Sequence, residues 1–233
     1  MTKRSSAWIV GIFSFAVPAI AVAHVTVASG PGFANATQEI TFGVGHGCAG
    51  ADTYSVRVDI PPGVTSVRPE SSDFGKATVT KDAAGVITAV TWQKDDKDAL
   101  DSDTNYYKLT VRVKVPDEPF TTLLFPAHQT CRAANGTLTV VDWVGASEPL
   151  PDAGGPEPAP ALVIMPARTS GWNKVKVPVA LADLTSFFGD AIIVWKGNAA
   201  FSTNPNTTDM IKSTADVTAL TTLQANDEVW VKY

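Results

Sequence analysis

Apolar and polar residues alternate with a period of two through Tyr54-Ser55-Val56-Arg57-Val58-Asp59-Ile60. The pattern returns where Tyr107, Leu109, Val111, Val113 and Val115 interleave with Lys108, Thr110, Arg112 and Lys114. Successive side chains of an extended strand point to opposite faces, so each run reads as a strand with one face buried and one wet. Shorter β-rich runs occur at Ile40 to Val44, Ala77 to Lys81, Ile87 to Trp92, Thr121 to Phe125, Leu138 to Trp143 and Ala161 to Met165. Turn signals at Pro61-Pro62-Gly63, Ala84-Gly85 and Asn135-Gly136 separate them. No helical period of ten or more residues precedes residue 166. The expected fold is mainly β, an antiparallel β-sandwich.

Residues 149–160, Pro-Leu-Pro-Asp-Ala-Gly-Gly-Pro-Glu-Pro-Ala-Pro, are too proline-rich for an interior strand and read as an extended surface segment. The character changes after Pro166. A strand through Val177, a helix over Leu181 to Phe188, β-rich Ile192 to Trp195, a helical turn or two over Thr207 to Ser213 and a closing strand Glu228 to Tyr233 predict a small α+β domain, residues 167–233. Trp172, Trp195 and Trp230 are expected in its core; exposed, they would instead form an aromatic platform for sugar or a partner protein.

At the start of the chain, Lys3 and Arg4 precede an uncharged apolar stretch, Ala7 to Ile20, and the small-x-small pattern Ala21-Val22-Ala23. This reads as a signal peptide, residues 1–23, cleaved after Ala23. The stretch falls short of the roughly 20 residues a spanning helix needs. The mature protein is expected to be periplasmic or extracellular, with no membrane span after cleavage. Removing two positive charges takes the formal net charge from −5 to −7. That acidity offers no footprint for nucleic acid and no polybasic patch for anionic lipid. Nucleotide-cradling and serine-hydrolase motifs are absent, and three histidines without an activated serine give no triad, so no enzyme is expected. In an oxidising compartment, the only two cysteines, Cys48 and Cys131, read as a disulfide; the alternative is a pair of metal ligands.

Cleavage after Ala23 makes His24 the first residue of the mature chain. A terminal amine and the imidazole Nδ1 of one residue close a chelate ring, and the ordinary pKa of such an amine, about 8, makes its deprotonation near neutrality easy. Nitrogen donors in a tetragonal arrangement suit Cu(II).

The ordered set His24-Val25-Thr26-Val27, Gln38-Glu39-Ile40-Thr41-Phe42, His46-Gly47-Cys48, Ile60-Pro61-Pro62-Gly63-Val64, Phe125-Pro126-Ala127, Gln129-Thr130-Cys131 and Glu157-Pro158-Ala159-Pro160-Ala161-Leu162 resembles the exported YcnI-like copper-binding family over residues 24–165. The resemblance implies a cupredoxin-like β-sandwich, here residues 24–166, that holds Cu(II) in a brace made by one N-terminal histidine. It implies a glutamate as further ligand and a tryptophan beside the metal. Residue by residue, His24 matches the histidine, Glu39 the glutamate, and Trp143, preferred over Trp92, the tryptophan; Glu70 and Glu157 are reserve carboxylates. Strand alternation sets Glu39 on the face opposite Ile40 and Phe42.

Two functions follow. In the first, the protein buffers Cu(II) or hands it to a copper transporter or another exported copper protein. In the second, it is a copper redox enzyme acting on an extended substrate such as polysaccharide, which requires a second nitrogen ligand from His46 or His128, otherwise candidates for weak secondary metal sites. A metal-free surface protein is the third reading. Protein recovered from exporting cells is expected to begin at His24 with both cysteines oxidised, and intact mass reads both features.

Overall fold

The computed structural model describes residues 24–146 and 157–233; the expected signal peptide and residues 149–156 of the proline-rich stretch lie outside the described residues. The first strands are β1 (Val25–Val27), β2 (Gly32–Phe33), β3 (Thr37–Val44), β4 (Asp52–Asp59), β5 (Thr65–Pro69), β6 (Lys76–Lys81) and β7 (Ile87–Gln93). They are followed by β8 (Tyr107–Lys114), β9 (Thr122–Leu124), β10 (Ala127–Arg132), β11 (Leu138–Gly145), β12 (Glu157–Pro158) and β13 (Ala161–Met165). Beyond these come β14 (Trp172–Lys176), α1 (Thr185–Phe188), β15 (Ile193–Lys196), β16 (Ala199–Phe201), α2 (Pro205–Ser213), β17 (Thr218–Ala219) and β18 (Glu228–Lys232).

One sheet has the order β1-β3-β8-β5, a second β12-β11-β10-β4-β7-β6, and a small third β2-β13-β9. The alternation explains the packing. Ile40 and Phe42 pair with Val111 and Leu109 across β3 and β8, so one face of that sheet is continuously apolar. Val56, Val58, Val90, Trp92 and Trp143 supply the facing layer, and all of these side chains join one buried cluster. At its centre Phe42 meets Phe125 at 5.4 Å and Trp92 at 6.5 Å between ring centroids. This is a mainly antiparallel β-sandwich.

Strand β10 shows no clear hydrophobic run because its inward face carries Gln129 between Ala127 and Cys131. Its turn to β11 closes with Gly136 at φ 84°, a conformation glycine adopts without strain. Cys48 and Cys131 are joined in a disulfide, which excludes their alternative role as metal ligands. Closing a loop of 83 residues contributes about 4 kcal/mol in the chain-entropy model.

The chain beyond Met165 forms a five-stranded sheet of order β14-β18-β15-β16-β17. Its inner face buries Val175, Val194, Val229 and Val231 with Leu184, Phe188 and Leu223. The expected helix over Leu181 to Phe188 is only the short α1, because Leu181 bridges Leu223 instead. Asp183 then accepts hydrogen bonds from the Thr185 amide and the Ser186 hydroxyl, starting the turn later. Trp172 and Trp230 are not core residues: alternation with Val175, Val229 and Val231 turns them outward, and each is 50% exposed. Phe120, on the connection from β8 to β9, leaves the sandwich core and packs against Phe187 and Phe188. Arg168 lies over the rings of Phe33 and Tyr233 while pairing with Asp190.

An ion pair is buried at the start of β4. Asp52 Oδ2 accepts from Lys94 Nζ at 2.5 Å and from the Leu100 amide at 2.9 Å, and Oδ1 accepts from the Tyr107 hydroxyl at 2.6 Å. The two charged side chains are 0% and 4% exposed. Burial first, and the Asp52 hydrogen bond second, push the Tyr107 phenol well above its ordinary range, so it stays a neutral donor. Lys94→Met leaves the Asp52 carboxylate buried without its counter-ion, and urea unfolding is expected to show a loss of about 3–5 kcal/mol.

Candidate functional site

Strand β1 pairs antiparallel with the end of β3, Val25 opposite Val44, so His24 sits where β1 begins at the rim of the sandwich. Its imidazole is half-buried and lies 5.4 Å from the indole of Trp143, centroid to centroid. Trp143 itself is 1% exposed on β11. Its orientation has a specific cause. The indole Nε1–H donates to Gln129 Oε1 at 3.2 Å, and Gln129 Nε2 donates to the His46 carbonyl and to Thr53 Oγ1, both at 2.8 Å. Gln129 is fully buried, and both ends of its amide are bonded, as burial of an amide requires. Gln129 stands in the Gln129-Thr130-Cys131 motif without an assigned role, because a glutamine between His128 and Thr130 shows no apolar alternation that would mark it as buried.

On the other side of Trp143, β12 adds to β11 in parallel register, with Glu157 opposite Trp143. The pairing shifts register between Trp143 and Gly145, so what it fixes is the backbone of the half-buried Glu157 next to that of Trp143. Glu39 does not meet His24. It lies five residues from Val44 along β3, roughly 17 Å at the rise of an extended strand. Alternation sets its face correctly, but register decides the end of the strand, and Glu39 is exposed opposite Arg112 and beside Glu70. Partial desolvation first, then the neighbouring Glu39 carboxylate, holds the Glu70 carboxyl above its ordinary range. Trp92 lies on β7 within the core, against Phe42.

His46 follows the end of β3 on a tightly held loop. A Cβ on Gly47 would come within 1.9 Å of the Ala51 carbonyl oxygen, so only glycine allows this close approach. The adjacent Cys48 is fixed by the disulfide. His46 Nδ1–H donates to the Gly47 carbonyl at 2.9 Å, with Asp103 Oδ2 at 3.8 Å from the same nitrogen. That bond leaves the lone pair on Nε2, which is buried and has no hydrogen-bond partner among the described residues. His128 points outward on β10, its Nδ1 2.7 Å from Asp142 and its Nε2 3.5 Å from Asp59. Both of its nitrogens therefore face carboxylates, away from His24.

Among the described residues, no three His, Cys, Asp or Glu side chains converge to hold a metal. His24 meets the Trp143 indole and Glu157 pairs with Trp143 through the backbone, a nitrogen-bearing and an oxygen-bearing residue next to the same tryptophan. A third donor, the His24 amine, exists only once the peptide bond to Ala23 is cut. This set fits a borderline ion that accepts nitrogen and carboxylate ligands.

The family described as a domain of unknown function (DUF1775) matches residues 24–164. An uncharacterized protein from Nocardia farcinica, whose crystal structure is described as revealing an immunoglobulin-like fold, is 26% identical, with 60% of this chain and 97% of that chain covered and a TM-score of 0.49. No protein with a curated description matches significantly.

Gln129→Leu keeps the size of the side chain but strands the Trp143 N–H and the His46 carbonyl. Each buried unpaired group costs about 1–3 kcal/mol. Urea unfolding should show a loss of that order, accompanied by weakening of the near-ultraviolet circular dichroism of the indole.

Proposed function

The chain belongs to the DUF1775 family, and on that premise we propose that it is an exported Cu(II)-binding protein that buffers the ion or hands it to a copper transporter or another exported copper protein. The observation that carries this reading is the His24 imidazole set against the buried Trp143 indole, with Glu157 paired to that tryptophan. The imidazole Nδ1 of His24 and the amine that cleavage releases there would chelate the ion, and the Glu157 carboxylate takes the place first ascribed to Glu39. Bound there, Cu(II) would supply a tetragonal centre with an exchangeable position.

The chain's own residues account for the rest. Gln129 locks the indole, so the wall beside His24 cannot collapse into the site. The buried face of Trp143 keeps water from one side, while the rim position of His24 leaves the other side open for exchange with a partner. Soft ligation for Cu(I) is poor, since both cysteines form the disulfide and Met165 and Met210 are the only methionines among the described residues. Residues 167–233 act in this reading as a separate domain with no part in holding copper.

One observation favours a second reading, a copper redox enzyme on an extended substrate. The register of β1 and β3 brings His46 near the His24 end of the site, with its Nε2 lone pair unclaimed. Recruiting that nitrogen would complete a two-histidine set.

The test is a Cu(II) titration followed by electron paramagnetic resonance on two proteins, one beginning at His24 and one carrying a single alanine before it. Stoichiometric binding with a nitrogen-rich tetragonal signal is expected from the first alone; equal binding by both, or by neither, sinks the brace. Within the first protein, Glu157→Gln is expected to weaken binding roughly tenfold or more, and Glu39→Gln to leave it unchanged. A changed spectrum in His46→Ala would move the assignment to the second reading.

A further inference from the structure

The five-stranded sheet beyond Met165 has two unlike faces. The inner one is closed by valines over Phe188 and Leu223. The outer one carries Trp172 on β14, Trp230 on β18 and Trp195 on β15, three adjacent strands. Trp195 stands directly opposite Trp230, and Trp172 lies one diagonal away, because Lys174 is the residue opposite Trp230. The three rings together line one shallow apolar depression. Helix α2 covers only the neighbouring part of this face, where Ile211 packs with Ile193 and Ala200. Trp172 and Trp230 remain half exposed, although the core accommodates aromatic side chains of the same kind elsewhere. Large exposed rings grouped on one surface mark an interaction site.

The charges on the same face restrict what that site recognises. Lys174, Lys176, Glu228 and Lys232 alternate with the inward valines and so share the face of the tryptophans. Glu228 pairs with Lys174 at 2.8 Å and stands opposite Lys176, so three lysines share one carboxylate and the face keeps a surplus of two positive charges. The Lys232 ammonium lies 5.9 Å from the Trp172 ring centroid. Flat rings present a surface to the C–H face of a pyranose, and ammonium groups pair with carboxylates. The row crosses three strands at about 4.8 Å each, an extended track and not a pit. Tryptophans on a sheet lose little freedom on binding, since each has two side-chain torsions and a backbone held by the ladder.

We propose that the outer face of this sheet binds an anionic polysaccharide, with Trp172, Trp230 and Trp195 stacking on successive sugar rings and Lys176 and Lys232 pairing with the acidic groups. A membrane surface fits less well. Interfacial insertion needs side chains that project past their surroundings, and these rings lie on a sheet between charged neighbours.

The test uses the full mature chain in affinity electrophoresis through gels containing polygalacturonate, alginate or hyaluronate, with dextran as the neutral control. Sedimentation with phosphatidylglycerol vesicles runs alongside. Retardation by at least one acidic polymer and not by dextran is expected, weakening as salt rises. Trp230→Ala and Trp172→Ala should each reduce the apparent affinity at least tenfold. The pair Lys176→Glu and Lys232→Glu, which leaves every ring in place, should do the same, so a folding defect in one variant does not decide the matter. An added alanine before His24 should change nothing, which separates this site from the copper reading. No retardation by any acidic polymer, equal retardation by dextran, indifference to the tryptophan and lysine variants, or binding to vesicles alone would each overturn the proposal.

Discussion

A single buried amide organises the rim of the sandwich where His24 begins. Gln129 bonds β10 to the indole on β11, to Thr53 on β4 and to the carbonyl of His46 on the loop after β3. The strands belong to one sheet and the loop follows a strand of the other, so the amide ties the two sheets together at one end. Two residues further along the same strand, Cys131 holds the same loop covalently through Cys48. The non-covalent and covalent ties act on one short segment, and that segment sits beside the strand pair that presents His24. Rigidity of the indole wall is therefore a property of three strands and a loop, not of Trp143 alone.

The residue before Thr53 on β4 meets a different problem. Asp52 and Lys94 neutralise one another out of contact with water, the half-buried Tyr107 hydroxyl bonds to both, and the Leu100 amide anchors the acidic connection from Asp95 to Asp103 onto the same carboxylate. Burying an ion pair stabilises little in itself, because desolvation offsets most of the attraction. Its effect lies in specificity, since an arrangement that left either charge alone would cost several kcal/mol. The connection has few apolar residues to hold it, and the buried carboxylate gives it a defined position.

Period-two alternation made the sandwich legible, because both long strands bury one face only. Strand β3 shows where that logic stops. The face of Glu39 follows from alternation, but its distance from His24 follows from which end of β3 meets β1, and three residues of β1 carry no period of their own. Glu157 was obscured for a related reason. Its strand is two residues long and lies in a proline-rich stretch, so its pairing with Trp143 depends on tertiary contact. Gln129 broke the apolar pattern of β10 because the inward position needed a donor and an acceptor, not another methyl group. The tryptophans of the C-terminal sheet were misplaced by residue type: large rings suggest a core, yet the valines between them already occupied the inward positions.

The two candidate sites differ in a way that follows from what each must do. A metal held for exchange needs donors of low number and a rim position, because every added ligand and every layer of cover slows release. His24 lies at such a rim, where β1 begins, and the hydrogen bonds of Gln129 fix the indole alongside. Recognition of a polymer needs area without depth, and the outer face of the C-terminal sheet offers rings in a row on a backbone fixed by its ladder. Phe120 and Arg168 connect the two parts, the phenyl ring entering the second core and the guanidinium bridging rings from both. Held by those contacts, a protein anchored through its tryptophan face would keep the His24 rim in a defined orientation.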